Sequence, residues 1–300
     1  MREVPTISVV IPAYNAAAYV GEAIESVLKQ TLPASEVIVV DDGSTDDTRS
    51  VAERYGRRVT YLRQNNAGVS AARNLGVRIA TGSWIAFLDA DDHWRADKLQ
   101  KQIDALNRNP SAVLVYSDFL IVEGNCRRIV EVCPPQQLLP ALRYRCPFMP
   151  SVVLMAREAF LNAGAFDQTL QGTEDWDLWV KIVMKHSTRA FVHVAEPLTY
   201  YRVVPGSLSQ RPIRQLQQYL GMVEHRLLDG LTGIPRAVQR RKILARLYRD
   251  AAVALREQAA TGHTRYMWQS LRAWPLPTDA VQSDRYKIAA AMFIKALVGR

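Results

Sequence analysis

Carboxylates crowd three short stretches of this 300-residue sequence: Asp41-Asp42, Asp89-Ala90-Asp91-Asp92, and Glu174-Asp175 with Asp177 close behind. Like charges held that close repel unless a cation sits between them. Oxygen ligands at the density of Asp89, Asp91 and Asp92 suit a hard divalent ion, Mg²⁺ or Mn²⁺, which binds through a few acids and the phosphates of a substrate. A repelling pair such as Glu174/Asp175, partly desolvated, would bring one member towards neutral pH. Each cluster has a plainer reading. Asp42-Gly43 makes a tight turn, acids after a strand cap the next helix, and acids behind an N-capping Thr173 complement a helix dipole. What separates the readings is where the chain puts these residues.

Residues 7–11 (ISVVI) are a β-branched run without helical period, the mark of a buried strand, and Pro12 ends it. Tyr14 and Asn15 follow in a loop, and Val20, Ile24, Val27 and Leu28 recur at helical spacing. The alternation repeats. Strands are predicted at 37–40, 59–62, 84–88 and 113–116, and helices up to Tyr55, over 71–80 behind Ser70, and over 97–107. Such alternation over the first ~120 residues predicts an open, mostly parallel, Rossmann-like α/β sheet flanked by helices. Ligands of such sheets bind beyond the carboxyl ends of the strands. Tyr14-Asn15, Asp41-Asp42, the loop Asn65-Asn66-Ala67-Gly68 and Asp89 to Asp92 all fall there, which argues for one composite site. No GxGxxG or GxxxxGK[ST] follows a strand, so dinucleotide and P-loop chemistry are disfavoured. Acids where a phosphate site usually has amides and lysines point to a nucleotide diphosphate reached through a divalent cation.

A composition of 48% hydrophobic and 22% charged residues excludes disorder. The three cysteines, Cys126, Cys133 and Cys146, are odd in number and form no CxxC pair, so neither a disulfide framework nor a zinc site is indicated and a reducing compartment is expected. No secretory apolar region precedes the first strand, and no stretch approaches the roughly 18–20 apolar residues of a membrane span. The longest candidate, 288–298, is broken by Lys295. Residues 236–300 hold 13 Lys/Arg against 4 Asp/Glu, so the whole net charge of +9 belongs to the tail. There Leu244, Leu247, Ala251 and Leu255 form one apolar stripe, with Arg240, Arg241, Arg246, Arg249 and Arg256 around the same helix. This charge is either a solvated face or, with Tyr266, Trp268, Trp274 and the amphipathic end 288–298, an interfacial anchor on anionic membrane.

Five motifs, ISVVIPAYN (7–15), EVIVVDDGSTD (36–46), NNAGVSAARNLG (65–76), IAFLDADD (85–92) and GTEDWDLW (172–179), resemble in order and spacing the inverting family 2 glycosyltransferases of GT-A fold. The resemblance covers roughly residues 5–210, about two-thirds of the chain. It implies a GT-A domain at 1–210 and leaves 211–300 as a basic, mainly helical extension. By resemblance Pro12, Tyr14, Asn15, Asp42, Asn66 and Gly68 would line the nucleotide pocket, with Asp42 accepting from a ring N–H. Arg73 and Asn74 would lie near base and ribose, and Asp91 near ribose and metal. Asp89 or Asp92 would complete the metal contacts, and which carboxylate touches the ion stays open. Asp175 would be the catalytic base, Glu174 its neighbour, and Trp176 would shape the acceptor side. The segment Tyr200 to Ser209 looks like a family element in which Arg202, Ser207 and Ser209 approach the leaving diphosphate. Val204 stands where many relatives carry His. His193, alone after Val192, reads as structural.

The expectation is therefore an inverting, metal-dependent glycosyltransferase that uses Mn²⁺ or Mg²⁺ and moves a sugar from a UDP-sugar to a glycan or lipid-linked acceptor. It would be cytoplasmic and peripheral on the inner face of the cell membrane. Three rivals stand beside it. A sugar-phosphate nucleotidyltransferase wants a glycine-rich basic loop where Pro12-Ala13-Tyr14-Asn15 stands. A non-catalytic sugar-nucleotide-binding protein fits Val204 but not the intact acid pairs. Nucleic-acid binding through the tail has only nonspecific charge behind it.

Overall fold

The computed structural model describes residues 5–204, 211–229, 231–276 and 285–298. The chain falls into two units, Met1–Val204 and Pro205–Arg300. In the first, β1 (Ile7–Ala13), α1 (Val20–Leu28), β2 (Glu36–Asp41), α2 (Thr48–Glu53), β3 (Thr60–Arg63), α3 (Val69–Ile79) and β4 (Trp84–Phe87) alternate as the apolar pattern predicts. Then come β5 (His93–Trp94), α4 (Lys98–Arg108), β6 (Leu114–Glu123), β7 (Cys126–Val130), α5 (Pro135–Leu142), β8 (Val153–Ala156), α6 (Arg157–Asn162), α7 (Glu174–His186) and β9 (Phe191–Arg202).

The strands form one sheet in the order β3-β2-β1-β4-β8-β6-β9-β5, with β7 on β6. β1 pairs in parallel with β2 and with β4, so the chain reverses its direction of winding between them and opens a crevice at their carboxyl ends. Beyond β4 the sheet is mixed. β8 runs antiparallel to both β4 and β6, and β5 antiparallel to β9, while β6 and β9 are parallel. The parallel character expected for the sheet is thus confined to β3-β2-β1-β4 and the β6/β9 pair. One reason is local: only Gly124-Asn125 joins β6 to β7, and so short a connection makes an antiparallel hairpin.

Helix spacing decides which faces are buried. α1 buries Val20, Ala23, Ile24 and Val27 in one apolar core with Val9 and Ile11 of β1 and Leu99 and Ile103 of α4. α3 buries a face of small residues, Ala71, Ala72 and Gly76, and can therefore lie close on β1. A Cβ on Gly76 would stand 2.4 Å from Val10 Cγ1, so the position admits glycine only. That close approach also carries Arg73, on the same buried face, into the interior.

The second unit is helical: α8 (Pro212–Met222), extended by a π-helical turn at Val223–Leu227, then α9 (Gly233–Glu257), α10 (His263–Ala273) and α11 (Arg285–Val298). The stripe Leu244, Leu247, Ala251 and Leu255 is buried as its spacing predicts. Ser270 Oγ donates to the Ala245 carbonyl (2.5 Å), and Met267, Ala289 and Met292 close a small core on Ala252. Arg246 does not join an exposed basic face. It is buried, with its Nε 3.6 Å from Asp250. No helix among the described residues is long and apolar enough to cross a membrane. Ser207 and Ser209 lie outside the described residues.

Candidate active site

One side of the crevice is built from three loops sewn together by side chains. Asp42, 4% exposed, accepts from Gln64 Nε2 (2.7 Å), Ala67 N–H (2.9 Å) and Gly68 N–H (2.8 Å). Its carboxylate therefore shapes the loop after β3, rather than standing open to a ring N–H as the resemblance implies. Asp41 likewise accepts from Ser44 N–H (2.7 Å) and the Tyr61 hydroxyl (2.5 Å). Gly43, at φ +81°, lets the turn pass within contact of Asn66, whose backbone N would lie 2.9 Å from any Cβ there. Asn15 Oδ1 accepts from Thr45 N–H (2.8 Å), which ties the loop after β1 to the turn after β2. Above this frame Tyr14 is 52% exposed, Asn66 and Gly68 are exposed, and Pro12 is buried beneath. Gln64, adjacent to the Asn65 motif, was not anticipated; only its place next to that loop could have pointed to it.

The second half joins the acid turn after β4 to the start of α7. Arg73 Nη2 lies 2.6 Å from Asp89 Oδ1 and its Nη1 lies 3.1 Å from Glu174 Oε1. The guanidinium also sits 5.2 Å from the centroid of the Phe166 ring. Arg73 is thus a buried bridge between acids 85 positions apart, not a contact to base or ribose. Asn74 is equally committed: it exchanges two hydrogen bonds with the Phe166 backbone (2.8 and 3.1 Å). Glu174 Oε2 accepts from Gly172 N–H (2.6 Å), and Asp175 Oδ1 from Trp176 N–H (2.7 Å). Thr173 occupies the N-cap position of α7 without a side-chain cap bond. Trp176, expected on the acceptor side, is wholly buried and gives its indole N–H to the Leu142 carbonyl (2.7 Å). It supports the first turn of α7 from below, as a residue on the apolar face of that helix must.

The three acids of the turn face different ways. Asp91 is partly exposed, and burial together with the charge of Asp89 pushes its carboxyl up to about 6. Asp92 is only 1% exposed and accepts from Ser151 Oγ (2.7 Å) and Arg202 N–H (3.1 Å), and burial raises it well above the usual carboxylate range. The expectation that Asp92 joins Asp89 and Asp91 as a metal ligand does not survive this inward placement. Among the described residues no three His, Cys, Asp or Glu groups converge as a metal cage. Asp91, with Asp89 beside it, still fits a hard cation that takes most of its oxygens from water and phosphate. Asp175 is pushed up to about 7 by burial and by Glu174, against the pull of Arg73. The Cys146 thiol beside it is raised well above its ordinary value, by burial first and by Asp175 second.

Arg202 points its Nε at the Asp91 carbonyl (3.0 Å), pairs with Glu22 and lies 5.3 Å from the centroid of the Tyr19 ring. His193 pairs with Asp118 (2.7 Å) and stacks on Tyr116, a structural role.

At the start of α7 a carboxyl raised towards neutrality, Asp175, thus stands beside Glu174, which one guanidinium ties to the acid turn after β4. Residues 8–130 match the model of glycosyl transferase family 2. An uncharacterized glycosyltransferase of Rickettsia prowazekii is 33% identical over 229 residues, covering 72% of this chain and 69% of that protein. The chain belongs to glycosyltransferase family 2. It is also similar to the Escherichia coli UDP-Glc:alpha-D-GlcNAc-diphosphoundecaprenol beta-1,3-glucosyltransferase WfaP, 32% identical over 212 residues (70% of this chain, 82% of WfaP). Among solved structures, the mannosyltransferase PcManGT of Pyrobaculum calidifontis, in complex with GDP-Man and Mn²⁺, superposes with a TM-score of 0.61 at 22% identity over 95% of this chain and 81% of that one. The family 2 chain therefore has the GT-A fold that its motifs imply.

Proposed function

We propose that this family 2 glycosyltransferase carries out a single inverting displacement, from a UDP-sugar to a hydroxyl of a glycan or lipid-linked acceptor, with a divalent cation at the acid turn. The observation that carries this reading is the Arg73 bridge. One buried cation holds both the turn suited to the leaving diphosphate and the helix start that presents Asp175. Asp175 takes the acceptor proton as the acceptor oxygen bonds to the anomeric carbon. The bond from that carbon to the diphosphate oxygen breaks on the opposite face, and its electron pair leaves with UDP. Glu174, paired with Arg73, keeps negative charge beside Asp175 and so helps to hold its carboxyl near neutral pH, where a base works best. A divalent cation held by Asp91 and Asp89 would offset the charge that develops on the leaving diphosphate. Pro12, Tyr14, Asn66 and Gly68 would hold the nucleoside. The UDP-Glc donor and lipid-linked acceptor in the name of WfaP, and the Mn²⁺ in the PcManGT complex, support donor class, acceptor class and cation.

The second unit supplies the membrane contact in this reading. Arg265, Trp268 and Arg272 share one exposed face of α10 at helical spacing, and Trp268 is 54% exposed. An aromatic between two cations suits the headgroup layer of an anionic bilayer and supports a reading in which the protein works at the cytoplasmic face of the membrane. Acceptor-dependent UDP release with Mn²⁺, lost on chelation and restored by added metal, tests the transfer. A product whose anomeric configuration matches the donor would overturn the single displacement.

A further inference from the structure

Asp92 stands in the acid turn, yet two distant segments converge on it. Ser151 Oγ donates to Asp92 Oδ2 (2.7 Å) and accepts from the Asp89 N–H (3.0 Å), so one hydroxyl holds both ends of the turn 89–92. Ser151 is itself wholly buried, and its carbonyl receives the Trp94 indole N–H (2.8 Å) and the Thr199 hydroxyl (3.1 Å). On the other side, Asp92 Oδ1 accepts from Arg202 N–H (3.1 Å), and Arg202 Nε returns a bond to the Asp91 carbonyl (3.0 Å). The end of β9 and the acid turn are therefore clasped reciprocally, and the clasp is pinned to the short helical turn Pro150–Val152.

We infer that Ser151 and Asp92 are positioning residues: together they form a bracket that sets where the Asp91 carboxylate and the Arg202 guanidinium stand. Nothing in the sequence pattern marks Ser151, which lies 59 positions from Asp92 and follows a proline. The chemistry of the hydroxyl suits the task. It has one proton and two lone pairs, so it can satisfy a carboxylate and a backbone N–H at once, in opposite directions. Removing it strips Asp92 Oδ2 and the Asp89 N–H of the partner they share, and they can replace it only by moving the turn. Asp92 then acts through geometry, and Asp91 is left to meet the cation and diphosphate. This assignment rests on reading the acid turn as the donor-diphosphate site.

Two measurements separate the bracket from that reading. Without any ligand, hydrogen exchange of the 88–92 amides should be roughly tenfold faster in Ser151→Ala than in wild type, with β1 unchanged. Mn²⁺-dependent UDP binding, followed by calorimetry, should weaken about 10–100-fold in Ser151→Ala, as expected when the support of a ligand is lost. Ser151→Thr keeps the hydroxyl and should restore most of it. Asp92→Asn, which keeps an acceptor for Arg202 N–H, should bind UDP more tightly than Ser151→Ala does. If wild type binds no UDP with Mn²⁺, the donor-site reading fails, and the exchange rates still decide the bracket. Unchanged exchange in Ser151→Ala overturns the bracket. So does an Asp92→Asn variant that loses binding while Ser151→Ala keeps it, because Asp92 would then be a ligand.

Discussion

Two acidic strand ends lie in the same crevice and have been put to opposite uses. After β2, Asp41 and Asp42 are saturated in the sense that each of their oxygens meets a donor, five in all, from Ser44, Tyr61, Gln64, Ala67 and Gly68. After β4 and at the start of α7, Asp91 and Asp175 sit in partly desolvated surroundings beside other acids, and both are pushed up towards neutrality. The contrast teaches that residue type does not separate a structural carboxylate from a reactive one. Burial beside another acid, with few donors to offset it, does. Buried acids whose oxygens are filled fold the loops that would receive a nucleoside. Acids left short of donors are poised to bind a cation or a proton.

The largest effect should come from removing the acid proposed as the base. Asp175→Asn should lower kcat by about 10²–10⁴-fold, the usual span of a general base, with UDP affinity preserved. Unchanged turnover would remove Asp175 as the base. Its value of about 7 fixes the pH dependence as well. The base must be ionised, so wild-type kcat/KM should fall about tenfold per pH unit below that value, and the residual rate of the variant should stay flat. Stability runs the other way. The folded state binds this proton more tightly than the unfolded chain, so raising the pH from about 4 to 7 costs stability. Asp175→Asn should therefore melt above wild type at pH 8, with the gap narrowing towards pH 5. A gap that widens on acidification would mean that the carboxyl is not raised.

Next in size is the bridge between the two reactive clusters. Arg73→Met leaves the buried Glu174 and the partly exposed Asp89 without their shared cation, and breaking a buried pair such as the one with Glu174 costs up to about 3–5 kcal/mol. Urea unfolding should show that loss. Arg73→Lys, a point charge without a fork, should recover only part of it. A loss confined to activity, with the urea midpoint unchanged, would mean that the bridge positions substrate rather than fold.

The alternation of β1 to β4 was legible because short apolar runs and helical periods are local signals, and so was the gathering of polar loops at their carboxyl ends. Antiparallel β8, the β6/β7 hairpin and the return of β9 were not. Their pairing is set by contacts far apart in the chain, and no period announces it. The same limit applies within the site. Asp89, Asp91, Glu174 and Asp175 stand out by type and spacing. That Asp92 turns inward, that Trp176 is buried and that Arg73 bridges rather than reads a nucleoside are facts of burial. Ser151 and Gln64 carry no signal except adjacency to a proline or to a motif.

The smallest effect should come from the saturated end, and it tests the comparison from the other side. The Tyr61 hydroxyl donates to Asp41 Oδ2, and Asp41 is almost wholly buried. Tyr61→Phe leaves one carboxylate oxygen a donor short, at a cost of about 1–3 kcal/mol. If Asp41 and Asp42 only shape the loops, the variant should show a lower urea midpoint and a UDP affinity reduced a few-fold, with kcat at saturating donor unchanged. That split follows because the loops after β2 and β3 would hold the nucleoside and make no bond that changes in the reaction. A drop in kcat approaching that of Asp175→Asn would break the division, since it would put the saturated carboxylates in the displacement itself.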